Sequence, residues 1–362
     1  MIEELGETIQ TMLEGRVAEG KEQGAQVTVY HRGKLIVDAR AGLAEAGTGQ
    51  PVEAETLFPV FSTTKGIMAT LVHLLAERGQ LDYDTPIAHY WPEFAENGKE
   101  GISVRHALAH TSGLPEMPPD TDPARLYDWD AMCRAIAHLR PLSPPGEKTV
   151  YHAVTFGWIL GEVVRRIDGR SVQAFLEAEI SRPLGFNSVF IGIPAELEPA
   201  VAFLEEVPEP VENSLGATIA PCMFPLGQWM NRPEARRACI PGSNGIMNAR
   251  GIARTYAALL PGGVDGVELL SPERVAQAME IHTSPEDLKR GEQRRGLGYT
   301  LHEGGSPTGF GHGGYGGSLG YADPRHHLAV GITRNRFSPH NLSGQVTDLL
   351  RQALRITPSS TS

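Results

Sequence analysis

The sequence predicts an α+β fold: an antiparallel sheet flanked by terminal helices, joined to a mostly helical lobe. Three observations carry this. β-rich runs crowd both ends of the 362-residue chain, amphipathic helical runs fill its middle, and the two terminal stretches read as helices able to cover a sheet. The first of these, residues 2 to about 20, places Ile2, Leu5, Ile9, Met12, Leu13 and Val17 on one helical face. "AQVTVYHRGKLIVDARAGLA" then reads as a hairpin turning at Gly33. Helical signals dominate from about 62 to 182, in "KGIMATLVHLLAERG", "DWDAMCRAIAHL", "TFGWILGEVVRRIDG" and "SVQAFLEAEISRPLG". Residues 194–237 are rich in proline and charge with weak periodicity and read as an irregular excursion. "SNGIMNARGIARTYAALL" reads as a loop into a helix over Met247 to Leu260, with Ser243 or Asn244 as its cap or facing the cleft. "GLGYTLHE", "GGSLGYADP" and "HLAVGITRN" read as three short strands, and "SGQVTDLLRQALRI" as a closing helix. The expected division is a discontinuous lobe of residues 1–60 and 238–362 and a helical lobe of residues 61–237, with a small-molecule site in the cleft between them.

Composition narrows the function. The chain is 41% hydrophobic and 21% charged, enough to bury a sizeable core, with disorder expected only at the tail "TPSSTS". A formal net charge of -11 argues against nucleic acid, which needs a concentrated basic surface. Three scattered cysteines (Cys133, Cys222, Cys239) form neither a disulfide framework nor a thiolate metal site. The acidic N-terminal run lacks the pattern of a signal peptide, and no apolar run approaches a membrane span. These features predict a cytoplasmic protein that does not bind membranes; a homo-oligomer is compatible with them.

Three features can carry chemistry. In "FSTTKG", Ser62 and Lys65 stand three apart at a helix N-terminus, on neighbouring positions of one face. Free N–H groups there stabilise developing negative charge, and a lysine whose pKa is lowered can take a hydroxyl proton. Alone, the spacing is equally that of a helix cap and a solvated lysine. Tyr151 follows a glycine turn in "PPGEKTVYHAVTFGW"; it reads as a core residue, or as a proton shuttle if cations keep its phenol acidic. "GFGHGGYGGSLGYADP" reads as a flexible hairpin, or as a strand whose N–H groups stabilise an oxyanion.

In that order and setting, the three features resemble the serine hydrolases of the class C β-lactamase, D-alanyl-D-alanine peptidase and family VIII carboxylesterase group. "HALAHTSGLP", "RPLGF" and "PGSNGIMNARGIARTYAAL" extend the resemblance over roughly residues 20 to 355. It implies a β-lactamase-like fold with Ser62 as nucleophile, Lys65 as the group that holds or takes its proton, and Tyr151 as proton relay. It also implies an oxyanion hole from the backbone N–H groups of Ser62 and Tyr315, with His312, Gly313 and Gly314 lining the substrate. His152 is a further candidate for the cleft, and Trp229 for an acyl or alcohol pocket. No metal or other cofactor is implied.

Two departures bear on the substrate, a small ester or amide. The Lys-Thr-Gly motif of the β-lactamases is here His312-Gly313-Gly314, which replaces a permanent cation by a mostly neutral ring. The asparagine ending their tyrosine motif is here Ala153. Both point toward neutral esters. Alternatives are a β-lactamase, a D-amino-acid peptidase or amidase, an acyltransferase, and a non-catalytic relative used as a binding module. His106 and His110, four apart, lack the glutamate of a zinc helix, and Trp158 reads as core.

Overall fold

A computed structural model describes residues 2–206, 216–337 and 340–356. The tail 357–362, and part of the 194–237 excursion, lie outside the described residues. The main sheet begins with strand β1 (Gly24–His31), which turns through Arg32 and Gly33 into β2 (Lys34–Glu45). Both turn residues have positive φ, as a two-residue hairpin demands. Next in the chain come β3 (Gln50–Pro51), β4 (Phe58–Phe61), β5 (Val189–Ile191), β6 (Glu205–Glu206) and β7 (Gly245–Met247). The C-terminal part adds β8 (Thr300–Leu301), β9 (Phe310–Gly313), β10 (Leu319–Asp323), β11 (Leu328–Arg334) and β12 (Arg336–Phe337). Seven of these form one antiparallel sheet in the order β3-β2-β1-β11-β10-β9-β8, so the two ends of the chain meet where Val29 faces Val330.

Helices cover both faces of this sheet. Helix α1 (Ile2–Ala18) and the C-terminal helix (Leu342–Leu354) share one face, where Leu5, Ile9, Leu13, Val346 and Leu350 are buried with Val27, Val29 and Ile332. Burying a side chain of this size contributes about 1.5–3 kcal/mol, which is why the periodic face of α1 could be read directly from sequence. The opposite face takes α5 (Ala249–Ala257), which packs on β1, β10 and β11.

The middle of the chain is helical, as expected. Its main members are α2 (Thr64–Glu77), α3 (Trp129–Ala137) and α4 (Thr155–Asp168), with α2 and α4 packed together. α4 ends at Gly169, whose φ of 87° supplies the left-handed cap. A small antiparallel sheet, β4-β7-β5, carries the start of α2, and β6 pairs in parallel with β12.

Two expectations need correction. Asn248, not Ser243 or Asn244, caps α5, its side chain accepting from the Gly251 N–H. Asn244 is buried instead and bonds the backbone of Ala235, Ala238 and Ile240. Met247, expected to open α5, ends strand β7 instead, because Ile246 and Met247 fill the gap between β4 and β5. Among the described residues, no helix is long and apolar enough to cross a membrane.

Candidate active site

Ser62 lies in the turn between β4 and α2. Phe61, just before it, has φ of 45°, a left-handed conformation that costs a non-glycine residue energy and must be held by its surroundings. The two threonines between Ser62 and Lys65 do this. Thr63 Oγ1 lies 3.1 Å from Ser318 Oγ, which donates to the Val60 carbonyl at 2.8 Å. Thr64 Oγ1 donates to the Phe61 carbonyl and accepts from the Gly245 N–H at 2.8 Å. Thr63 occupies the N-cap position of α2, yet its side chain makes no capping bond. The simple helix-cap reading of this motif therefore fails.

Lys65 is fully buried. Its Nζ donates to the carbonyls of Ala153 and Gly242, each at 2.6 Å, and lies 3.3 Å from Ser62 Oγ. Burial, and secondarily the positive charge of Arg295, hold its pKa well below that of an ordinary lysine. Tyr151 donates its phenol proton to Ser62 Oγ at 2.8 Å. The acidic phenol considered from sequence is corrected here: burial pushes Tyr151 up to about 12, although Ser62 and Arg295 pull it the other way. Ser62, Lys65 and Tyr151 thus meet as one hydrogen-bonded cluster, with the phenol protonated.

His312 stands on β9, a strand flanked by β8 and β10. It is buried and stacks on Tyr151 with ring centroids 6.1 Å apart. Its Nδ1 faces the Gly313 carbonyl at 2.7 Å, and Nε2 has no hydrogen-bond partner among the described residues. Burial first, then Lys65 and Arg295, hold the ring neutral. Gly314 presses on the Ser62 turn: a Cβ there would stand 2.1 Å from the Val60 carbonyl oxygen, so only glycine allows the approach. Tyr315 follows, its ring 5.6 Å from that of Phe61. Among the described residues, neither the Ser62 N–H nor the Tyr315 N–H has a protein acceptor.

The structure places the other candidates further from the chemistry. His152 is buried with both ring nitrogens engaged: Nδ1 faces the Val150 carbonyl at 2.6 Å, and Nε2 accepts from the Leu114 N–H at 3.2 Å and lies 2.7 Å from Ser112 Oγ. It clasps the "TSGLP" loop to the Tyr151 segment and offers no free nitrogen to a substrate. Burial lowers its pKa to about 4. Trp229 is 1% exposed, and its indole N–H donates to Tyr127 Oη at 3.0 Å. A mostly apolar cavity of about 780 Å³ lies between the loop Gly113–Pro119 and residues 216–224, with Met117, Leu142 and Phe224 in its walls. Neither Trp229 nor the Ser62 cluster is part of that lining.

Two participants were missed from sequence. The Gly242 carbonyl receives Lys65, and backbone acceptors leave no residue-type signal. Arg295 lies in "KRGEQRRG", where nothing local marks one arginine from the next, yet it is buried with its guanidinium carbon 4.7 Å from the Tyr151 ring centroid.

Comparison with known proteins agrees with this architecture. Residues 9–355 match the family model described as Beta-lactamase. The "Esterase/beta-lactamase LipL" of Mycobacterium tuberculosis (strain ATCC 25618 / H37Rv) is 33% identical over 335 residues, covering 86% of this chain and 77% of that protein. "Esterase EstB" of Burkholderia gladioli is 32% identical over 215 residues, 54% of each chain. A crystal structure of a family VIII carboxylesterase superposes with a TM-score of 0.88 at 32% identity, over 96% of this chain and 97% of the other. With the match spanning both ends of the sheet, the helical middle and every residue of the Ser62 cluster, the chain belongs to the beta-lactamase family.

Proposed function

We propose that this protein is a serine hydrolase that cleaves carboxylic esters through an acyl-enzyme on Ser62. The observation that carries the reading is the environment of Ser62 Oγ, which accepts from Tyr151 at 2.8 Å and faces Lys65 Nζ at 3.3 Å. As a neutral amine, Lys65 has two N–H groups, and both find carbonyls at 2.6 Å. Its lone pair is then left toward Ser62, whose hydroxyl donates to it. Lys65 takes the proton as Oγ attacks the ester carbonyl. The tetrahedral oxyanion sits on the N–H groups of Ser62 and Tyr315. Tyr151, protonated because it is buried, gives its proton to the departing alkoxide and recovers one from the lysine ammonium. Water then repeats the steps in reverse and releases the acid.

A buried, neutral His312 favours uncharged esters over substrates that need a cation for a carboxylate. The cleft that admits them is proposed to lie between a lobe of residues 1–60 and 238–362 and a lobe of residues 61–237. Three free cysteines fit a reducing, cytoplasmic setting. The test is Ser62→Ala. The variant stays folded by circular dichroism and loses turnover of p-nitrophenyl butyrate; undiminished turnover overturns the assignment. Nitrocefin and D-alanyl peptides, assayed beside the ester, rank the β-lactamase and peptidase alternatives.

A further inference from the structure

The His312 strand lacks the cation that a lysine would bring, but the neighbourhood of Tyr151 does not. Arg295 is 4% exposed. Its backbone is fixed on both sides: its N–H donates to Thr283 Oγ1 at 2.9 Å, and its carbonyl accepts from the His282 N–H at 2.8 Å. One guanidinium nitrogen donates to Gln293 Oε1 at 3.1 Å, and the buried Nε has no hydrogen-bond partner among the described residues. Among the described residues no carboxylate comes within ion-pair reach of it, and a buried arginine so placed is expensive to keep, so its position calls for a reason beyond packing. The guanidinium carbon lies 4.7 Å from the Tyr151 ring centroid, and Lys65 Nζ lies 4.9 Å from the same centroid. The ring that reaches Ser62 is therefore held by two basic side chains.

We propose that Arg295 is a positioning residue of the Ser62 reaction: its guanidinium packs on the Tyr151 ring, fixes that ring beside Ser62, and supplies the permanent positive charge that the His312 strand lacks. The inference rests on Ser62, Lys65 and Tyr151 acting as proposed above. Packing on an aromatic face suits a planar, weakly hydrated guanidinium. The charge acts on every titratable group around the cluster. Lys65 is faced by Tyr151, His110, His152 and His312, and Arg295 disfavours a proton on the lysine and on all three histidines. Arg295 itself is faced by Tyr151, Glu292 and Glu303. Within the cluster it favours a lysine ready to accept a proton, and it stabilises the phenolate that Tyr151 becomes on giving its proton away.

The test measures kcat and KM for p-nitrophenyl butyrate across pH in Arg295→Gln, Arg295→Lys and Gln293→Ala. Removing the cation lets the lysine hold its proton to higher pH, so the acid-side midpoint of kcat rises in Arg295→Gln. Its kcat falls roughly 10- to 100-fold, the loss expected from a misplaced catalytic group, with KM little changed. Arg295→Lys, which keeps the charge, returns the midpoint toward wild type. A wild-type kcat and midpoint in Arg295→Gln overturns the inference. So does equal loss in the glutamine and lysine variants with no shift in midpoint, the mark of a merely structural arginine. Should Arg295→Gln not fold, Gln293→Ala gives a smaller upward shift of the same midpoint by loosening the guanidinium, and an unmoved midpoint there overturns the proposal. Ser62→Ala separates the two failures: an active Ser62→Ala protein sinks the nucleophile, whereas an inactive one beside an unaffected Arg295→Gln sinks only the role of the arginine.

Discussion

Among the described residues two lysines are buried, and their surroundings differ. Lys99 donates to three backbone carbonyls, those of Glu96, Ala137 (2.7 Å) and Leu139 (2.6 Å). Lys65 donates to two carbonyls, and its third neighbour is a hydroxyl. Burial lowers both, but Glu96 and Glu100 favour the charge on Lys99 against Arg140, leaving it at about 8, whereas Arg295 works unopposed against the charge on Lys65. Lys99 is thus an ammonium at neutral pH that ties its own turn to the end of α3. Each lysine has an arginine nearby, but Lys65 has one acceptor exchanged for a group that can donate and no carboxylate to offset its cation. Depth of burial, the third partner and the balance of nearby charge together separate the two, and only the Lys65 shell suits the base proposed above.

Substituting each lysine by methionine is the strongest way to break this contrast. Lys65→Met lowers kcat for p-nitrophenyl butyrate by about 10²- to 10⁴-fold, the usual contribution of a positioned general base, while the protein remains folded. Steady-state kinetics and circular dichroism check it, and a folded variant with near wild-type kcat removes the distinction. Lys99→Met does the reverse. It strands three carbonyls and costs about 1–3 kcal/mol in urea unfolding, with turnover unchanged in the folded protein. A folded Lys99→Met protein that has lost activity would show that the two shells are not separate.

A further effect concerns acid and is spread over several pH units. His152, next to Tyr151 in sequence, sits at about 4 in the folded protein against 6.5 for an ordinary histidine. Between those values the unfolded chain takes up a proton that the folded one refuses. Folding weakens as pH falls from 6.5 toward 4, by at most about 1.4 kcal/mol per pH unit from this group, and levels off below. His152→Gln removes that contribution. Urea unfolding at pH 4.5, 5.5 and 6.5 should give a shallower slope for the variant, and an equal slope means that the clasp is not held neutral.

The parts of the molecule legible in sequence are those whose side chains repeat or whose chemistry is local. α1 and α4 announced themselves by apolar spacing, the first hairpin by Gly33, and Ser62 and Lys65 by a separation of three. The serine-hydrolase class and the β-lactamase-like fold expected from those motifs agree with the family match. What stayed hidden was non-local. Strand β7 is three residues long and exists because two other strands flank it. The excursion gave no period because its described elements, such as Leu226–Met230 and Pro233–Arg237, are too short to repeat. Arg295 sits among other arginines with no local mark of burial, and only the fold turns it inward. Trp229 and His152 drew attention by residue type, which says nothing about whether a polar atom is already engaged.

The threonine stitches around Ser62 set an order of events during synthesis. Thr63 meets a serine 255 residues later in the chain, and Thr64 a backbone N–H 181 residues later. At about 5–20 residues per second, the ribosome emits Ser318 roughly 13 to 50 s after Thr63. Until then the left-handed turn at Phe61, which precedes Ser62, lacks its brace. The proposed nucleophile is thus made early and braced late, and a chain cut before Ser318 would carry Ser62 without that brace.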